Sequence, residues 1–251
     1  MKSGSPAAAL VLRTFDYGET SLILHLLTRE EGRIHGIAKG ARRLQGDSHG
    51  GPDLLTLGMA RIYPRKPDSD LRVLGSFRAT EDFPGLRGTI ARFHAAQHVA
   101  ALVLAFTREE QPHPELFDLT VAALRLLESA DEAPADALAL GFEAMAFRLL
   151  GFAPELSRCV VCGKPARNVR TTRLSALRGG LLCTPCRGED ARAPTLSGAS
   201  VDALRSLAEG PLVAAAAHPP APGLRREIRA ALDRWTEMHL DRPLGTSRPP
   251  G

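Results

Sequence analysis

Aromatic side chains are scarce in this chain: one Trp, two Tyr and nine Phe among 251 residues. Leu, Ala and Val must therefore build the core. Long apolar runs are missing too. The longest, Val99 to Phe106, falls far short of the roughly 20 residues that cross a bilayer as a helix. Residues 1–10 have no apolar centre of the kind a secretory signal carries. The expectation is a cytoplasmic protein without a membrane span.

Marks of catalysis are also wanting. Gly46-Asp47-Ser48-His49-Gly50 has the spacing of a hydrolase nucleophile elbow, but that elbow needs a strand before it and a helix after it. Here a Gly-rich loop runs through Pro52 into an apparent strand. His94 and His98 are four apart on a predicted helix, yet Ala95, Ala96 and Gln97 leave no general-base Glu between them. His113-Pro114-Glu115 with a later C-x-x-C resembles a zinc deaminase in outline. Leu182 then stands where that motif has Pro, and two cysteines are left without a role. No Gly-rich loop ends in Lys-Ser/Thr, so nucleotide hydrolysis is not indicated. The expectation is a protein that is not an enzyme.

Acid is absent where base is concentrated. The chain is 44% apolar and 24% charged, as in an ordinary globular protein, with a net charge of +4. From Arg33 to Gly46 it carries Arg33, Lys39, Arg42 and Arg43 and no Asp or Glu. From Arg158 to Arg187 it carries seven Lys or Arg, again with no acid. Such stretches suit an anionic partner. Lys39-Gly40-Ala41-Arg42-Arg43 follows a predicted strand and opens a loop whose cations can reach successive phosphates. A solvated surface loop is the plainer alternative. Phe15, Tyr17 and Tyr63 are candidates for stacking on bases, although strand alternation assigns some of them to the core.

Cysteine is rare, and all of it lies in one segment: Cys159-Val160-Val161-Cys162 and Cys183-Thr184-Pro185-Cys186. Each C-x-x-C brings two thiolates to one ion from a tight turn, and two such knuckles complete a tetrahedral S₄ shell for Zn²⁺. Two disulfides are the alternative, which reducing cytosol disfavours. With four protein ligands no position is open for substrate, so one structural zinc is expected.

Five short strand-like segments fall between residues 8 and 83: Ala9 to Phe15, Leu22 to Leu27, Gly32 to Ala38, Leu54 to Tyr63 and Leu71 to Thr80. They suit a small antiparallel barrel of the oligonucleotide-binding type, or an open five-stranded sheet; closure is favoured because it removes edges. After Pro84 the spacing turns helical: Thr89 to Thr107, Pro114 to Ser129, Ala135 to Leu150, Ser200 to Glu209 and Gly223 to Leu240. The fold class is α+β: a barrel at 1–83, then a helical domain at 84–251 with an inserted four-cysteine zinc module at about 157–192.

With these residues in view, the chain resembles the RecO family. Leu10 to Thr20 (LVLRTFDYGET) matches the family's opening pattern. Leu26 to Arg33 continues it, ending in Ala38-Lys39-Gly40-Ala41-Arg42-Arg43. Phe142-Glu143 through Leu156 leads into Cys159, and Gly179-Gly180 precedes Cys183, as in the family. After Arg43 the chain departs: Leu44 to Pro52 lacks the Ser/Lys-rich run that usually follows. The resemblance implies a non-enzymatic mediator of DNA repair and recombination, nucleoid-associated in the cytoplasm. It would bind single- and double-stranded DNA, anneal complementary strands and, with RecR, assist RecA loading onto strands coated by single-strand-binding protein. RecR and the C-terminal tail of single-strand-binding protein would be its partners. By position, Lys39, Arg42 and Arg43 would be the DNA contacts. A zinc-ribbon adaptor that binds only protein is the competing reading.

Overall fold

Alternating small apolar residues open the described chain and produce β1 (Ser5–Tyr17), followed by β2 (Ser21–Thr28), β3 (Gly32–Ala38), β4 (Leu57–Ile62) and β5 (Arg72–Glu81). The structure is a computed structural model; it describes residues 4–41, 52–65, 69–129, 135–166, 170–240 and 244. The five strands close into a barrel in the order β1-β2-β3-β5-β4. β4 returns to β1 from Ser5↔Ile62 to Leu10↔Leu57, which excludes the open sheet. All pairings are antiparallel except β3 with β5.

Period-2 alternation fills the interior. Ala7, Ala9 and Val11 face inward from β1, Leu22, Leu24 and Leu26 from β2, Ile34 and Ala38 from β3, with Ala60, Ile62 and Leu74 opposite. Alanines on β1 and β4 leave room for leucines on β2 in a narrow barrel. Each fully buried Leu contributes roughly 1.5–3 kcal/mol. Gly32, in the turn between β2 and β3, has φ of +75°. A Cβ there would lie 2.0 Å from the carbonyl oxygen of Gln111, so only glycine fits.

The inward alternation of β1 breaks once. Its register against β2 slips between Val11 and Arg13, a bulge at Leu12. One extra residue inverts the faces of everything after it. Arg13, Phe15 and Tyr17, which strict alternation from Val11 would turn inward, are exposed instead.

The division of the chain by contacts is Met1–Glu128 and Ser129–Gly251. The first unit therefore holds the barrel together with α1 (Ile90–Phe106) and nearly all of α2 (Pro114–Ser129). Thr89 caps α1, its hydroxyl accepting the Arg92 N–H at 3.2 Å. Arg29 on Asp118 and Arg125 on Glu81, both two-pronged, tie α2 to the barrel.

In the second unit α3 (Ala135–Leu150) is buried along most of its length, with α4 (Gly198–Glu209), α5 (Leu212–Ala217) and α6 (Pro222–Leu240) packed on it. Glu143 is fully buried in α3 and is matched from α6 by Arg229 at 2.6 Å and the Thr236 hydroxyl at 3.0 Å. The single Trp, Trp235, is buried and donates to the Phe152 carbonyl at 2.9 Å. Between α3 and α4 lies a small antiparallel sheet, β7-β6-β8, made of β6 (Thr171–Ser175), β7 (Gly180–Leu182) and β8 (Thr195–Ser197). Strands of three to five residues leave no periodicity to read, and neither they nor the six-residue α5 were expected from sequence. α4 starts two residues earlier than expected because Ser197 caps it, accepting the Ser200 N–H.

Candidate metal centre and nucleic-acid interface

The cysteine module is assembled by two turns of different kinds. In the first, the Cys159 N–H donates to the Lys164 carbonyl at 2.8 Å and the Gly163 N–H returns to the Cys159 carbonyl at 2.9 Å. Gly163 closes that turn at φ of +73°. In the second, Cys183 leaves β7 directly into a 3₁₀ turn, Thr184–Asp190, and the Cys186 N–H donates to the Cys183 carbonyl at 2.9 Å. The Val160 N–H reaches the Leu181 carbonyl at 2.9 Å and holds the first turn against β7. The four Sγ atoms consequently lie within 4.8 Å of one another.

This donor set fits a tetrahedral thiolate site. Sulfurs at about 2.3 Å from one Zn²⁺ are spaced about 3.8 Å apart, and Cys162 and Cys183 are 3.6 Å apart. Burial raises the Cys159 thiol, but backbone N–H groups of Cys183, Cys162 and Val161 outweigh it and bring the pKa to about 6. Cys186 is pushed up to about 12 by its hydrogen bond to the Cys183 thiol and by burial. Four crowded thiols resist full ionisation by themselves; a divalent cation reverses that balance. The four cysteines expected as ligands are thus brought together and could hold a metal ion.

The cations around the module divide. Arg158 pairs with Glu155 at 3.3 Å, Arg178 with Glu189 at 2.6 Å, and Arg173 donates to the carbonyls of Asp190 and Ala191. Acids just outside the base-rich segment fold back onto it. Among the described residues, Lys164, Arg170 and Arg187 carry no ion pair. Arg167 lies outside the described residues.

On the barrel, Lys39 is exposed just past β3. Arg42 and Arg43 lie outside the described residues, as does the Gly46-to-Gly50 elbow motif. Arg33 is half-buried. Its carbonyl accepts the Glu110 N–H at 2.9 Å, and its Nη1 stands 3.4 Å from His35 Nε2. A guanidinium only donates, so Nε2 accepts and the His35 proton sits on Nδ1, which faces Glu109 Oε1 at 2.9 Å. Burial, opposed by Glu109 and helped by Arg33, lowers the His35 pKa. His25 is lowered to about 4, by burial first and then by the charges of His35, Arg33 and Arg13.

These two histidines belong to an outer face that composition did not reveal. Register places Arg13 opposite His25 and His25 opposite His35; in the next row stand Phe15, Ile23 and Ile37. The imidazoles of His25 and His35 are stacked, centroids 3.9 Å apart and 21° from parallel. Phe15 tilts onto His25 at 5.3 Å, and the Arg13 guanidinium lies 5.8 Å above the Phe15 ring. Tyr17 extends the face and is 54% exposed. The available sequence signal was the matched Ile-x-His of β2 and Arg-x-His of β3, but it acquires meaning only from the register. His94 and His98, by contrast, belong to no group of three or more candidate metal ligands among the described residues.

No helix among the described residues is long and apolar enough to cross a membrane. Two family models cover the chain in order: Recombination protein O N terminal over residues 4–83 and Recombination protein O C terminal over residues 87–248. The DNA repair protein RecO of Anaeromyxobacter dehalogenans is 39% identical over 239 residues, covering 95% of this chain and 92% of that one. The RecO of Rhodopirellula baltica is 39% identical over 204 residues, or 81% of this chain and 74% of that one. The RecO of Desulfitobacterium hafniense (strain Y51) is 31% identical over 241 residues, or 95% and 86%. A likeness that runs through both the barrel and the cysteine-bearing half, in one order and over most of each relative, places the chain in the RecO family.

Proposed function

We propose that this chain acts in DNA repair and recombination as a non-enzymatic mediator that binds single- and double-stranded DNA and anneals complementary strands. With RecR it would assist RecA loading onto strands coated by single-strand-binding protein, whose C-terminal tail is a second partner, in the cytoplasm at the nucleoid. The observation that carries the reading is a closed oligonucleotide-binding-type barrel, in a chain of the RecO family, whose outer face joins aromatic rings to Arg13 and Arg33. Annealing asks for no bond-making group. Two polyanions repel, a cationic surface lowers that repulsion, and the bases then pair by themselves. Lys39, Arg42 and Arg43, with Arg33, serve as phosphate contacts and so carry little sequence preference.

The metal in this reading is one structural Zn²⁺ held by Cys159, Cys162, Cys183 and Cys186. When bound it supplies cross-linking and charge neutralisation, not reaction chemistry. The residues themselves provide the two turns and the N–H groups that favour thiolate at Cys159.

The test follows duplex formation between complementary oligonucleotides coated with single-strand-binding protein. Acceleration without nucleotide, lost at high salt, is expected. For single strands the slope of log affinity against log salt is about −0.7 per phosphate contact, so Arg42→Ala with Arg43→Ala should flatten it by about 1.4. An unchanged slope would remove that loop from the interface. Absence of both annealing and DNA binding in a folded, zinc-loaded protein would leave the adaptor reading in its place.

A further inference from the structure

We infer that Cys162 and Cys183 form a peroxide-reactive pair, which closes to a disulfide across the two knuckles and releases the metal while keeping the knuckles joined. The inference rests on the structural-zinc reading above and adds to it a modification site with redox chemistry.

The four sulfurs are not equivalent. Cys159 is buried, and its Sγ accepts the Cys183 N–H at 3.4 Å. That N–H draws charge from the sulfur and lowers its nucleophilicity, and burial keeps an oxidant away. Cys183 and Cys186 are half-buried. Cys162 is exposed, in a turn where Val161, Gly163 and Lys164 are exposed as well. Its sulfur meets another thiol, Cys183 Sγ, at 3.6 Å. The two belong to different knuckles: Cys162 ends the first, and Cys183 begins the second where β7 stops. The most accessible sulfur of the site therefore touches a sulfur on its opposite side.

The chemistry follows with hydrogen peroxide as the oxidant. The Cys162 thiolate attacks one peroxide oxygen; the O–O bond breaks, hydroxide leaves and Cys162 becomes a sulfenic acid. The Cys183 thiolate then attacks that sulfur, forming the S–S bond and expelling a second hydroxide. Two protons from solvent convert both hydroxides to water. The two sulfurs lose two electrons and the peroxide gains them. Two of the four thiolates are thereby withdrawn from the metal. The remaining pair, Cys159 and Cys186, does not complete the four-coordinate shell that holds structural Zn²⁺. A disulfide within either C-x-x-C would also release zinc, but it would leave the knuckles unlinked. The Cys162–Cys183 bond joins the same two turns that the metal joins, so the module stays closed, and a reductant with zinc restores the original state.

The experiment treats the full zinc-loaded chain with hydrogen peroxide in the presence of a chromogenic zinc chelator. Expected are one zinc released per chain, loss of two of the four thiols, and recovery of both after a phosphine reductant and excess zinc. Trypsin reads the pairing without any variant. Cleavage after Arg158, Arg167, Arg178 and Arg187 puts Cys159 and Cys162 on peptide 159–167 and Cys183 and Cys186 on peptide 179–187. The oxidised chain should yield these two peptides cross-linked, with fragmentation assigning the bond to Cys162 and Cys183. It should also still unfold cooperatively, unlike the reduced chain stripped by chelator. Separate peptides, each with an internal disulfide, would overturn the inference. So would a bond from Cys159, oxidation that the phosphine fails to reverse, or zinc retained after peroxide, all of which leave the zinc reading standing. A chain that purifies without zinc would overturn the structural-zinc reading and this inference with it.

Discussion

The barrel and the cysteine module are both small β-structures, and they achieve closure by different means. Every barrel strand has a partner on each side, so hydrogen bonds run around the ring and the interior is sealed by alternating Ala, Leu and Ile. The module has three strands of three to five residues; β8 pairs with β6, and β7 pairs with β6 and is otherwise met only by the short 155–160 segment among the described residues. Its buried apolar residues within the strands are few: Leu174, Leu181, Leu182 and Leu196. Sheets that short are marginal without help. Four thiols at one point are where the missing cross-link would go. Where hydrogen bonds encircle a core, no metal is called for; in the module, a metal held by the four cysteines, as proposed, would take the place of core.

The strongest way to break that contrast is to remove the cross-link. Cys162→Ser, or a chelator, should disorder the module, since structural zinc in small domains contributes an apparent 10 kcal/mol or so at neutral pH. Zinc content should fall from one per chain, and the helical half should unfold or aggregate while strand signal from the barrel persists. Wild-type thermal stability in Cys162→Ser would show that the module closes without metal.

A smaller effect should come from the helical part of the second unit. Arg229→Ala leaves the buried Glu143 carboxylate with Thr236 but without its guanidinium. Uncompensated buried charge costs about 3–5 kcal/mol. Denaturant unfolding should register that loss with zinc content unchanged, which would separate helix packing from metal closure. Zinc loss in the same variant would show that the two are one cooperative structure.

The mildest test concerns the barrel face. In the unfolded chain His25 takes up its proton near pH 6.5; in the fold, burial and then His35, Arg33 and Arg13 delay uptake to about pH 4. The unfolded state thus binds more protons in that window. Stability is complete above pH 6.5 and is lost as pH falls to about 4. Each pH unit is worth at most about 1.4 kcal/mol for this group, and solvent at a part-exposed ring reduces the total to about 1–2 kcal/mol. Protonated His25 would face Arg13, Arg33 and His35, while Glu109 is paired with His35. His25→Leu should flatten the acid limb of the stability curve; an unaltered limb would assign it to carboxylates elsewhere.

Local patterns carried much of this molecule. Strand spacing and turn residues announced the barrel, because alternation and Gly/Pro punctuation act within a few residues. α2 and α3 begin and end where their spacing and flanking prolines set them. The cysteine quartet was legible for the same reason: a C-x-x-C is a local turn, and two of them specify their own convergence. Closure of the barrel was expected on the edge argument alone, without the pairing of β4 on β1 that achieves it; the three-residue strands β7 and β8 and the helix α5 were not legible, since each depends on partners distant in sequence.

Sequence by itself determined the ingredients: two alternating periods, one thiol cluster, and base-rich stretches free of acid. Tertiary structure decided which of those charges stay available and which rings face outward. Arg158 and Arg178 read as bare cations until Glu155 and Glu189 fold onto them. Phe15 and Tyr17 could be core or surface until one unpaired residue, Leu12, shifts the register and turns both outward. The physical reason is the two-residue period of a strand: a side chain's face is set by its pairing, and pairing is a property of two strands, not of one.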